Sequence, residues 1–138
     1  MTGPNPPSDS ADPAPTPTPL HPERMTWPVL LGRWVDFARS AVALPDNAAG
    51  RRWRASVADI IQLQAVWFAL RQLDELDPAE RALGVDRAGV LIERHAGALA
   101  ARWPDGALPA EVAELVREAR AAWRDARASA PGGGGPTA

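Results

Sequence analysis

Cysteine is missing from this 138-residue chain. That excludes disulfides, thiolate metal sites and a cysteine nucleophile. Lysine is missing too, so all 15 basic residues are arginine, as a GC-rich genome would also favour. There is little sign of strands: no sustained two-residue alternation, and few β-branched residues beside Ala and Leu. No run is apolar enough to span a bilayer. The most apolar stretch, residues 57–70, is interrupted by Asp59, Gln62 and Gln64 and reads as a buried helix. The first residues lack the basic start and apolar run of a secretory signal, so a cytoplasmic location is expected. Phosphate-binding glycine loops, zinc-ligand spacings and nucleophile elbows are absent. No metal, cofactor or catalytic residue is therefore expected, and the chain is not expected to be an enzyme.

Proline and glycine are concentrated at the ends. Residues 1–26 carry Pro4, Pro6, Pro7, Pro13, Pro15, Pro17, Pro19 and Pro22 with almost no large apolar side chains. Such a segment cannot bury enough surface to offset its ordering entropy, so a disordered, partly extended tail is expected. Residues 129–138, with Pro131 followed by Gly132 to Gly135, are expected to be a flexible tail. The domain is then residues 27–128. The formal charge of −2 belongs to the N-terminal tail, and the 27–128 region is neutral. A neutral domain argues against a general binder of nucleic acid or membrane surfaces.

Helical periodicity fills the middle. The pattern predicts an all-α bundle of four main helices, about 27–44, 56–76, 86–103 and 109–128, plus one short helix at 78–83. Thr26 with Pro28 marks the first start. Trp27, Leu30, Trp34, Phe37, Ala41 and Leu44 form its apolar face, widened by Val35 and Val42. Pro45 ends it. Residues 46–54 read as a loop, Ser56 as the next cap with Asp59 three residues on, and the helix that follows as the central one. Asp77 and Pro78 open the short helix, which Gly84 is expected to stop. Asp86 caps the next, and Pro104 to Gly106 break it. The last helix carries Val112, Leu115, Val116, Ala119, Trp123 and Ala126 on one face. Glu111, Glu114, Glu118 and Asp125 border one side, and Arg117, Arg120, Arg124 and Arg127 the other. An apolar seam between acidic and basic borders is how a helix docks among helices.

Three groups of polar residues stand out. Arg51, Arg52, Trp53 and Arg54 put three guanidiniums and an indole before a helix start, a set suited to anions or acidic partner surfaces. The simpler reading pairs them with Asp46, Asp59 or Asp74 and folds Trp53 inward. The stripe Arg117, Arg120, Arg124 and Arg127 could follow a phosphate backbone, though the adjoining acids oppose it. Gln64 and His95 fall among apolar neighbours. Gln64 needs a partner, and a tryptophan N–H is the natural one. His95 reads as a core histidine with no second ligand or clustered carboxylate beside it, rather than a general base. A strip Gln64, Arg71, Glu75 lining a small-molecule cleft is a further option.

These features point to a small non-enzymatic protein–protein interaction module, an adaptor, assembly subunit or regulator. Self-association through its amphipathic helices is expected, with the last helix pairing acid to arginine in a homodimer. The alternatives are a nucleic-acid or anion binder using the two arginine groups, and a small ligand-binding or catalytic helical protein around His95 and Gln64.

Overall fold

The computed structural model of the chain describes residues 15, 22–104 and 106–129. Four helices account for most of them: α1 (Trp27–Val42), α2 (Ala48–Gln72), α3 (Pro78–Arg102) and α4 (Ala110–Ala128). There is no strand among the described residues. Short 3-10 turns occupy Pro22–Arg24 and Leu73–Glu75. The expected fold class, an all-α bundle, is what the structure has. The disordered tails expected at 1–26 and 129–138 lie outside the described residues, except that 15, 22–26 and 129 are placed. Pro22 is buried, and its turn packs against α2.

The helix ends at Val42 and Gln72 fall short of the expected 44 and 76, and two boundaries differ more. Residues 48–55 are helical, not loop. Asn47 Oδ1 accepts from the Gly50 amide at 2.8 Å, so the cap sits nine residues before Ser56. The chain can start there because Gly50 has no side chain: a Cβ would lie 2.1 Å from the Pro45 carbonyl oxygen. The second difference is that the short helix and its successor are one. Asp77 Oδ1 caps it through the Glu80 amide at 2.9 Å, and Pro78 stands in the first turn. Gly84 does not end it, and Asp86 lies inside it. Arg81, Val85, Ala88, Ile92, Ala96 and Leu99 form an unbroken buried face. Burying that face outweighs the cost of about 1 kcal/mol for an interior glycine. Gly84 also lets the Leu73 side chain close in, where a Cβ would meet Leu73 Cδ2 at 2.6 Å.

The helix α2 is central, packing against α1, α3 and α4. It runs antiparallel to α1: Trp27 meets Phe68, and Arg54 Nη1 donates to the Leu44 carbonyl at 3.0 Å. It is antiparallel to α3 as well, with Arg102 reaching Asp59. In turn α3 is antiparallel to α4, where Trp123 Nε1 donates to the Val85 carbonyl at 2.8 Å. Ile60, Leu63, Trp67, Ile92, Leu99, Val112 and Leu115 form the heart of the core. Three aromatic rings close one end, with Trp53 edge-on to both Phe37 and Trp103.

The contact between α3 and α4 depends on Gly89. A Cβ there would lie 2.8 Å from the indole of Trp123, a rigid ring that cannot bend aside. Gly89→Ala gains about 1 kcal/mol of helix propensity but forces the ring off its hydrogen bond, costing about 1–3 kcal/mol. The expected outcome is a lower Tm by calorimetry. Gly97→Ala, where nothing lies within 4 Å, is expected to raise it. A Gly89→Ala protein as stable as the Gly97→Ala one would contradict this packing.

Candidate functional site

The arginines singled out by the sequence are largely engaged within the chain. Because residues 51–54 lie in the first turns of α2, their side chains diverge around it. Arg51 Nη1 pairs with Asp46 Oδ1 at 2.9 Å, and Arg54 approaches the same carboxylate at 3.6 Å. Arg52 lies over the Trp103 ring, 5.8 Å from its centroid. Trp53 is buried. The structure does not assemble these four into one surface. On α4, Arg120 makes a two-pronged pair with Glu93 of α3, with N···O distances of 2.8 and 2.7 Å. Arg117 pairs with Glu114, and Arg127 covers the Trp123 ring at 5.2 Å. Arg124 is exposed. The Glu93–Arg120 pair holds the Glu93 carboxyl below its ordinary range through that hydrogen bond and charge.

Gln64 is fully buried, and its Oε1 accepts from Trp34 Nε1 at 2.9 Å, the kind of partner expected. Gln64, Arg71 and Glu75 do not share one cleft wall: Arg71 borders an opening of about 280 Å³ with Trp67, Asp74 and Arg81, which neither Gln64 nor Glu75 lines. Arg71 and Glu75 are exposed, and the Arg71 guanidinium lies over the Phe68 ring.

His95 has a carboxylate beside it after all. Its Nδ1 lies 2.7 Å from Asp59 Oδ1, while Arg102 Nη1 donates to Asp59 Oδ2 at 2.8 Å. An ionised carboxylate only accepts, so His95 donates to it from Nδ1. Burial alone would push the Asp59 carboxyl up. The hydrogen bonds from His95 and Arg102, and the attraction of their charges, outweigh it and hold the group below its usual value. Ser56 completes the cluster and is no helix cap. Its hydroxyl donates to the Arg52 carbonyl at 2.7 Å and accepts from Trp103 Nε1 at 3.2 Å. With its proton held by a backbone carbonyl, Ser56 is not poised as a nucleophile. This cluster stitches α2 to α3. Periodicity concealed it, because Asp59 lies 36 residues from His95 in sequence and only the helix register brings them together.

Sequence reasoning also passed over Arg81, which is buried. Its Nε contacts Asp74 at 3.2 Å and its Nη2 donates to the Ala126 carbonyl at 3.0 Å. It thus caps the end of α4 with positive charge. Its place in line with Val85, Ala88 and Ile92 was the available signal.

Part of the open surface is apolar. The α1 face expected to be buried is only partly so. Leu30, Trp34, Phe37 and Ala41 are buried, but Trp27, Val35 and Val42 are 50%, 45% and 71% exposed, and beside them Leu31, outside the expected face, is 47% exposed. Val35 and Val42, expected to widen the buried arc, sit outside it, because α2 is the helix packed along α1 and its contact takes one face. A second opening, of about 540 Å³, lies between α3 and α4, with Gly89, Ile92 and Trp123 below and Asp86, Glu93, Arg120 and Arg127 around it. No helix is long and apolar enough to cross a membrane, and no group of three metal-ligating side chains occurs, among the described residues.

No family model, curated protein or solved structure matches this chain.

The Asp59 cluster gives a pH signature. A carboxyl whose folded value is depressed stabilises fully above its unfolded value, about 3.9. That stability is lost as pH falls through the lower folded value. Asp59→Asn is expected to cost about 1–3 kcal/mol at neutral pH and to flatten the fall of Tm on acidification below about pH 4. Parallel Tm curves for variant and wild type would sink this assignment.

Proposed function

We propose that this chain is a non-enzymatic protein–protein contact module acting in the cytoplasm, an adaptor, assembly subunit or regulator. The outer face of α1 is its contact surface. The observation that carries this reading is the exposure of Trp27, Leu31, Val35 and Val42 along one helix whose other apolar face is already filled. Together they expose on the order of 400 Å², the size of patch that in monomers is often functional. The polyanion-binding reading has less support, since Arg51, Arg54, Arg117 and Arg120 are neutralised by acids of the same chain. A catalytic or ligand-binding reading around His95 and Gln64 is likewise weaker, since both already serve contacts between helices.

A photo-reactive amino acid at Val35 tests the module. In the cells that make the protein, illumination is expected to yield a protein adduct through Val35. The same residue at Arg94, exposed on α3, is expected to yield little. Adding Leu31→Glu should abolish the adduct. Illumination that leaves the Val35-substituted chain unmodified would remove the reading.

A further inference from the structure

Arg81 is the one buried cation among the described residues, and its hydrogen bonding is incomplete. Asp77 and Pro78 start α3, and Arg81 follows one turn later on its buried face. A guanidinium carries five N–H donors in one plane. Nε reaches Asp74 at 3.2 Å, and Nη2 reaches the Ala126 carbonyl at 3.0 Å and the Ser129 hydroxyl at 3.5 Å. Nη1 is buried with no partner, and no other buried side-chain nitrogen or oxygen among the described residues is left so. A donor shut away from water without an acceptor destabilises the fold, so its retention calls for a reason.

The same side chain lines the opening of about 280 Å³ between the end of α2, the start of α3 and the end of α4. At roughly 30 Å³ for each water, this is room for about nine waters or one small organic molecule. Trp67, Leu70 and Ala122 give the opening an apolar wall. Its charges are Arg71 and Arg81 against Asp74 and Asp125, so they cancel. Asp74 is held by Arg81. Arg71 and Asp125 are exposed, and neither is in an ion pair among the described residues. A simple anion would suit the guanidiniums but meet two carboxylates and the negative end of α4. A simple cation would suit the carboxylates but meet two guanidiniums. A small molecule that carries both charges answers both sets.

We infer that this opening is a binding site for a free aliphatic α-amino acid. Its carboxylate engages Arg71 and Arg81, and its ammonium engages Asp125. Its side chain lies against Trp67, Leu70 and Ala122. The carboxylate supplies the acceptor that the Arg81 guanidinium lacks, in the charge-assisted form that arginine binds best. The ligand touches α2, α3 and α4 together and so fastens the end of α4. No residue of α1 lines the opening, so the site stands or falls apart from the α1 contact face.

Isothermal titration of the full chain with L-leucine tests this. A dissociation constant on the order of 100 µM is expected, the scale for a ligand of about nine heavy atoms. 4-Methylpentanoate lacks only the amine, and 3-methylbutylamine lacks only the carboxylate. Each is expected to bind about tenfold more weakly or worse. Arg71→Gln and Asp125→Asn change exposed side chains, so the dichroism spectrum and Tm of the free protein are expected to hold. Affinity is expected to fall about tenfold in each. Arg94→Gln, on exposed α3 surface, is expected to bind as wild type does. In a proton–nitrogen correlation spectrum, leucine is expected to shift the Trp67 indole and Arg81 Nε signals and to leave those of the Trp34 and Trp103 indoles in place. Silence from L-alanine, L-valine and L-leucine alike, up to millimolar concentration, overturns the site. Binding that survives both substitutions unchanged overturns its location. If 4-methylpentanoate binds as tightly as leucine, the pairing of ammonium with Asp125 is wrong and the amino-acid assignment falls with it.

Discussion

Everything in this fold hangs on the polar atoms that α2 carries into its packed faces. A helix surrounded by three others can hold Gln64, Ser56 and Asp59 only if its neighbours satisfy them, because an unpaired buried polar group costs about 1–3 kcal/mol. Each neighbour involved supplies a fixed donor. Trp34 of α1 gives its indole N–H to Gln64. Trp103, just past α3, gives its own to Ser56, and His95 and Arg102 of α3 hold Asp59. Apolar packing alone tolerates sliding by a turn. These bonds do not, so they set the register in which α1 and α3 lie on α2.

That register decides the fate of the arginines. Once α3 and α4 are aligned by Trp123 on Gly89, Glu93 stands opposite Arg120 and takes it. Once α2 begins at Ala48, Asp46 lies within reach of Arg51 and Arg54. A stripe of like charge drawn on one helix is thus divided among neighbours. The unfilled apolar stripe of α1 has no such internal answer among the described residues. For that reason the proposed function rests on it rather than on the basic groups.

The errors in helix boundaries share one cause. Glycine and small polar residues signal breaks in an isolated chain, because interior glycine costs helix stability. At Gly50 and Gly84 the cost is outweighed by what the missing Cβ permits. The Pro45 carbonyl approaches Gly50, and the Leu73 side chain approaches Gly84. Neither neighbour is close in local periodicity, so the two glycines read as stops. Where a cap and a proline coincide, as at Asp77 and Pro78, the local signal was sufficient.

What the sequence determined by itself was the class of fold, the central place of α2, the buried face of α4 and the need of Gln64 for an indole partner. These follow from spacing along one helix and from the chemistry of single groups, which travel with the chain. Which face of α1 is covered, that His95 meets Asp59, and that Arg120 is spent on Glu93 were decided only in the tertiary structure. Each depends on the rotation and offset of one helix against another, and a helical pattern fixes neither until the packed neighbours are in place.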